Sequence, residues 1–287
     1  MANYQIITDS ACDLPKVMQA QLDLITTPLH VLFQGRNLED SVDAGLKEIY
    51  DGLRAGEHTS TSAANPESWA AVIEPVLAAG KDALVLAFSS GLSTTYQSAV
   101  IAADELAEKY PDRTIRVVDT LCAALGQGLL VWYACKMRDA GMSLEELTAW
   151  CEENKLHLCH WVTVDDLMFL KRGGRVSAAT AVVGTMLQFK PIIHVDDAGK
   201  LVSVGKARGR KAAMETLVQK FRELGDGFDN RTVFICHGDS LEDAEKLAAM
   251  VRQCPGVDEV FVGNLGAVIG SHAGPGTLAL FFMGKHR

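Results

Sequence analysis

The chain reads as an α/β protein, with a parallel-sheet domain over residues 1–150 followed by an α+β domain over residues 151–287. Three observations predict this. Strand-like runs alternate with helix-length segments through the first half, the pattern of a parallel sheet with crossover helices. The second half breaks that alternation with a hairpin signal, Asp196-Asp197-Ala198-Gly199, between two β-rich runs. The length, 287 residues against roughly 150 per domain, leaves room for two domains. The boundary is expected near Gly141–Glu153.

In chain order, Tyr4–Thr8 is a short β-rich run ending in Asp9-Ser10, and Asp13-Leu14-Pro15 reads as a helix start. Ile25–Phe33 is a second apolar, β-branched run. Ser41 can cap a helix running to Arg54. Asn65-Pro66-Glu67 opens another, to Ala78. Ala83–Phe88 is a fully apolar strand, followed by a helix over Thr94–Lys109, a strand over Thr114–Val118 and a buried helix over Cys122–Asp139. Ser143-Leu144-Glu145-Glu146 is a capping box. Beyond it come a strand at Trp161–Val164, a short helix from Asp165, the hairpin strands Pro191–Val195 and Leu201–Lys206, and a helix over Lys211–Leu224. A strand at Thr232–Cys236, a helix at Leu241–Gln253 and a strand at Glu259–Val262 follow.

Composition narrows the function. Hydrophobic residues make up 48% and charged residues 22%, which excludes a disordered chain or a coiled coil. A net charge of −9 repels phosphate backbones and anionic lipid surfaces, so nucleic acid is not an expected partner. The 7 cysteines are scattered, with no Cys-x-x-Cys pair and no signal peptide, which points to a reducing cytoplasm. Two uncharged stretches invite comparison with a membrane span. Thr120–Cys135 is too short, and Val260–Gly284 contains too many glycines for a lipid-exposed helix, so both read as interior segments.

Several segments could carry chemistry. Ala87-Phe88-Ser89-Ser90-Gly91-Leu92-Ser93-Thr94-Thr95 ends a buried strand, turns through hydroxyls and starts a helix. Ligands sit outside the carboxyl ends of such strands, and a helix start favours an anion. Equally, Ser93 could serve only as an N-cap. Thr59-Ser60-Thr61-Ser62 repeats the hydroxyl pattern, where a solvated loop is the simpler reading. Gly270-Ser271-His272-Ala273-Gly274-Pro275-Gly276 reads as a glycine turn that brings backbone close to a ligand and offers an imidazole. Lys171, Arg172 and Arg175 form one basic cluster, a solvated loop or an anion contact. Lys206, Arg208, Arg210 and Lys211 form another, expected to be exposed. His157-Leu158-Cys159-His160 with Cys151 matches no common zinc spacing, so no metal is expected. There is no P-loop and no Gly-x-Gly-x-x-Gly after a strand, so no nucleotide cofactor is expected either.

Together these segments resemble the DegV family of bacterial fatty-acid-binding proteins. The resemblance rests on Ile7-Thr8-Asp9-Ser10, Thr61-Ser62, Ser89-Ser90-Gly91-Leu92-Ser93-Thr94-Thr95-Tyr96-Gln97-Ser98-Ala99, Val118-Asp119-Thr120 and Gly126-Gln127-Gly128. It continues through Leu170-Lys171-Arg172-Gly173-Gly174-Arg175, Lys190-Pro191-Ile192 and the 270–276 glycine segment, and spans the whole chain in order. It implies a non-catalytic protein holding one long-chain fatty acid, such as palmitate, between two domains. The carboxylate would be held by Thr61, Ser93 and His272, with Ser62 beside them and Lys171 and Arg175 near. It further implies presentation of the acid to a separate fatty acid kinase subunit, for which Lys206, Arg208 and Arg210 are candidate contacts. Four positions depart from the common pattern: Ala63-Ala64 stand for Gln-Pro, Thr94 for glycine and Ala124 for serine.

The chemistry is coherent. A carboxylate removed from water must keep its hydrogen bonds, and two hydroxyls with an imidazole can supply them. A sixteen-carbon tail offers roughly 10 kcal/mol at ~0.8 kcal/mol per buried CH₂, before ordering costs. Val182, Met186, Phe189, Ile193, Leu278 and Phe281 are candidate tail contacts. The main rival is a serine hydrolase using Ser93, Asp239 and His272, whose order along the chain fits an α/β-hydrolase, although Gly91-Leu92-Ser93-Thr94-Thr95 lacks the second glycine of a nucleophile elbow. A regulatory protein with a vestigial pocket and a triose-binding kinase subunit are further alternatives.

Overall fold

The structure, a computed structural model, describes residues 3–176 and 188–287. It opens with β1 (Tyr4–Asp9), a tight helical turn at Ser10–Cys12 and α1 (Lys16–Gln21). β2 (Ile25–Thr27) lies parallel to β1. The expected run Ile25–Phe33 is two strands, because Pro28 has no N–H to give to a ladder. Past it, β3 (His30–Phe33) enters a different, antiparallel sheet with β4 (Arg36–Glu39). α2 (Leu46–Arg54) starts later than Ser41 suggests, after Gly45 at φ 75°. The hydroxyl segment Thr59–Ser62 is no loop: it forms β5, which closes the small sheet against β3.

α3 (Pro66–Ala78) begins as its cap signal predicts, with Asn65 Oδ1 accepting from the Ser68 N–H at 2.8 Å. β6 (Asp82–Ala87), α4 (Thr95–Lys109), β7 (Ile115–Asp119) and α5 (Ala124–Asp139) complete the first half, giving a parallel sheet in the order β2-β1-β6-β7. α6 (Leu144–Asn154) has the full capping box between Ser143 and Glu146.

The second half supplies β8 (Leu158–Thr163), α7 (Met168–Arg172), β9 (Phe189–Val195), β10 (Leu201–Arg208), α8 (Arg210–Leu224), β11 (Thr232–His237) and α9 (Leu241–Val251). β12 (Glu259–Asn264), α10 (Ala267–Ala273) and β13 (Leu278–Met283) end it. These strands form one sheet in the order β10-β9-β8-β13-β11-β12, antiparallel except for the β11–β12 pair. The glycine turn expected at 270–276 is half helix. α10 runs through His272 to Ala273, and the turn starts only at Gly274, at φ 83°.

α5 joins the two large sheets. It packs against β1 and against β8, β11 and β13, and Leu125, Leu129, Leu130, Val131, Ala134 and Cys135 are fully buried. α8 and α9 cover the opposite face of the six-stranded sheet, where Leu217, Val218, Phe221, Leu247 and Val251 pack on Leu278, Leu280 and Phe282. Strand side chains alternate between faces, so Ala279, Phe281 and Met283 of β13 join the α5 side instead. Among the described residues, no helix is long and apolar enough to cross a membrane.

Candidate functional site

On the α5 side of the six-stranded sheet lies a cavity of about 460 Å³, within the range of small-molecule sites. Alternate residues of each strand make its floor: His160 and Val162 from β8, Ala279 and Phe281 from β13, Val195 from β9 and Leu201 from β10. Val164, Leu170, Ala123 and Ala124 add to the wall. Residues before 125 and after 159 line it together.

Polar groups gather on a rim. Thr61, at the end of β5, faces His272 of α10, with Oγ1 and Nε2 2.8 Å apart. Ser62 and Ser93 line the same cavity. Ser93 is not the N-cap of α4, a position that Thr94 holds. The Ser93 Oγ lies 2.8 Å from Thr95 Oγ1 and accepts from the Thr95 N–H at 3.2 Å, within a turn that leaves the hydroxyl on the cavity wall. Arg175 also lines the cavity, donating to the carbonyls of Leu92 and Gly173. Burial, and then the Arg175 charge, push the His272 imidazole down to about 4. It is therefore neutral at physiological pH and can donate or accept.

Glycines explain how close these parts come. A Cβ on Gly173 would strike His272 Nδ1, one on Gly274 would meet the Phe169 ring, and one on Gly91 would collide with the Ala198 carbonyl. The tip of the β9–β10 hairpin therefore rests on the Ser89–Ser93 turn, and Ser89 Oγ donates to the Gly199 carbonyl at 2.8 Å.

The structure thus brings Thr61, Ser62, Ser93, His272, Arg175 and Phe281 to one cavity. Other expected residues sit elsewhere. Leu278 faces α8 and α9, because it lies an odd number of residues from Phe281 on the same strand. Ile193 is buried on the α5 side but behind the cavity wall. Phe189 lies under the Lys206 ammonium, 5.0 Å from ring to Nζ. Lys171 is exposed on α7, away from the lining. Val182 and Met186 lie outside the described residues. Lys206 and Arg208 are exposed on β10, as expected for a surface patch. Arg210 is not: its Nε donates to Asp243 at 2.8 Å and its Nη1 lies 3.8 Å from Asp165, so its charge is spent inside the fold.

The sequence reading missed His160, Val162, Val195 and Ala279. β13 is apolar on both faces and β8 is buried on both, so no alternation there marks which side meets the cavity. His160 is held neutral by burial. Leu158 O lies 2.9 Å from Nδ1, and Nε2 accepts from the Ala123 N–H at 3.2 Å. Of the four positions that depart from the family pattern, Ala63, Thr94 and Ala124 line the cavity and Ala64 does not.

The hydrolase reading finds no support. His272 meets Thr61, Ser93 meets Thr95, and Asp239 is engaged by Arg54 away from the cavity. Among the described residues, no group of three or more His, Cys, Asp or Glu could hold a metal ion.

The α/β fold thus encloses a largely apolar cavity with hydroxyls and an imidazole among its lining. The chain belongs to the DegV family: the model described as "Uncharacterised protein, DegV family" matches residues 3–285. A DegV domain-containing protein of Clostridium perfringens is 46% identical over 286 residues, covering 99% of this chain and 98% of that protein. Among solved structures, a DegV family protein from Thermus thermophilus, described by its fatty acid binding, superimposes with a TM-score of 0.89 at 34% identity, covering 98% of this chain and 99% of the other. DegV of Bacillus subtilis, described as a fatty acid binding protein, gives 0.84 at 28% identity, covering 99% of this chain and all of the other.

Proposed function

We propose that this protein carries one long-chain fatty acid and does no chemistry on it. The observation that carries the reading is the Thr61–His272 contact at 2.8 Å on the rim of a largely apolar chamber. The carboxylate accepts hydrogen bonds from Thr61, Ser93 and the neutral His272, with Ser62 beside them. The tail lies along Val162, Ala279 and Phe281, between residues of the 1–150 and 151–287 domains. Fatty acid binding by the Thermus thermophilus and Bacillus subtilis relatives supports this.

The carrier presents the acid to a separate kinase for acyl-phosphate formation. Arg175 supports this step, since a guanidinium beside the head group can stabilise added phosphate charge. The absence of any nucleotide-binding motif in the sequence means the phosphate must come from a second protein. Exposed Lys206 and Arg208 supply the contact surface. A cytoplasmic setting fits the seven cysteines, all buried free thiols.

Organic-solvent extraction of the purified protein followed by mass spectrometry tests the reading. One fatty acid per chain is expected. A protein that yields no lipid and gives no heat on titration with palmitate is not a carrier.

A further inference from the structure

Three chain segments deliver the rim. The turn after β6 carries Ser93, β5 carries Thr61 and α10 carries His272. All three are tied to the buried segment Asp9-Ser10-Ala11-Cys12-Asp13 and its neighbour Asp40. Asp9 Oδ2 accepts from the Phe88 N–H at 2.7 Å, where the chain leaves β6 for the serine turn. Ser10 Oγ accepts from the Leu29 N–H at 2.9 Å, one residue before β3, whose Val31 stands opposite Thr61. The same hydroxyl donates to Asp40 Oδ2 at 2.9 Å. Asp40 Oδ1 accepts from the Val268 N–H at 2.9 Å, and Asp13 Oδ1 from the Gly266 N–H at 3.1 Å, where α10 begins.

We infer that Asp9, Ser10, Asp13 and Asp40 form the positioning junction of the head-group site, fixing the three rim segments relative to one another. None of the four lines the cavity, so they act through the residues they hold. The inference rests on the carboxylate-binding reading above. Two features of the junction exceed what simple helix capping needs. A hydroxyl or an amide caps a helix well, yet three carboxyls are buried here. Burial pushes Asp9 up to about 7 and Asp40 up to about 6, and burial with Asp40 and Asp9 nearby pushes Asp13 well above the carboxylate range. The fold accepts that cost at the one place where strands from two sheets and α10 meet. Gly266 also leaves no room for a side chain, since a Cβ there would strike Asp13 Oδ1.

The test compares Asp40→Ala, Asp40→Asn and Ser10→Ala with the wild type, by two measurements. The first is the imidazole ¹⁵N shifts of His272 in ligand-free protein. The second is affinity for palmitate against its methyl ester, which keeps the tail and loses the charge. Asp40→Ala is expected to shift the His272 signals and to weaken palmitate about tenfold while leaving the ester unchanged. Asp40→Asn, which keeps an acceptor oxygen, is expected to restore most of both. Unaltered His272 signals, or acid and ester affinities falling together, would overturn the junction. If Asp40→Ala does not fold, Asp40→Asn and Ser10→Ala decide on the same two readouts, each expected to give smaller shifts in the same direction. A wild type that binds acid and ester equally overturns the carboxylate reading instead, while the His272 signals still report on the junction.

Discussion

The floor of the cavity and its rim are built on opposite principles. The floor lies on one face of the six-stranded sheet, where β8 and β13 each contribute two alternate residues and β9 and β10 one each, nearly all apolar. The rim is three single side chains, each on a different kind of element: a strand end, a turn and a helix. Removing one floor residue leaves many others gripping the tail, so the damage falls on stability. Removing one rim residue leaves the fold intact and damages orientation. The difference predicts that affinity and specificity reside in separate parts of the molecule.

The comparison can be broken most sharply at Phe281, which is 1% exposed. Phe281→Ala is expected to cost about 3–5 kcal/mol of stability, read by urea unfolding. A loss below about 1 kcal/mol would show that the floor is not close-packed.

His272→Ala should weaken palmitate by about tenfold to a hundredfold, the range for a hydrogen bond to a charged group. Calorimetric affinity for the methyl ester should stay level. Equal losses for both would move His272 from rim to floor.

The pH response of stability sharpens the same point. The His272 imidazole titrates near 4 when folded and near 6.5 when unfolded, so the unfolded chain takes the proton first and stability drops as pH falls through that interval. Between pH 7.5 and 5.5 this group should remove about 1 kcal/mol, and His272→Asn should flatten that part of the curve. An identical melting-temperature profile for the variant would contradict it.

The smallest effect belongs outside both regions. Arg208→Glu sits on the exposed face of β10 and should change stability by less than about 0.5 kcal/mol, with palmitate affinity intact. With the kinase that the proposed function requires, acyl-phosphate formation should fall, and full activity would remove β10 from the proposed contact surface.

Much of the fold was legible because its signals are local. Asn65 and Ser143 mark helix starts through side chains only three residues from the amides they bind. The parallel sheet followed from alternation alone. What stayed hidden depends on partners far along the chain. Thr59–Ser62 looks like a polar loop until β3 pairs with it, and Gly270–His272 looks like a turn until the junction carboxylates hold the start of a helix there. The rim residues were within reach only through the family resemblance, since hydroxyl and imidazole chemistry alone left Ser93 as a possible cap and Thr61 as a possible loop residue. The floor was not, because a strand buried on both faces carries no mark of which side is hollow.

His160 has a last consequence. Beyond the rim, it is the one titratable side chain lining the described wall, and both its ring nitrogens already face backbone partners. Among the described residues the deep wall therefore offers a guest's chain apolar contact and no free proton donor or acceptor.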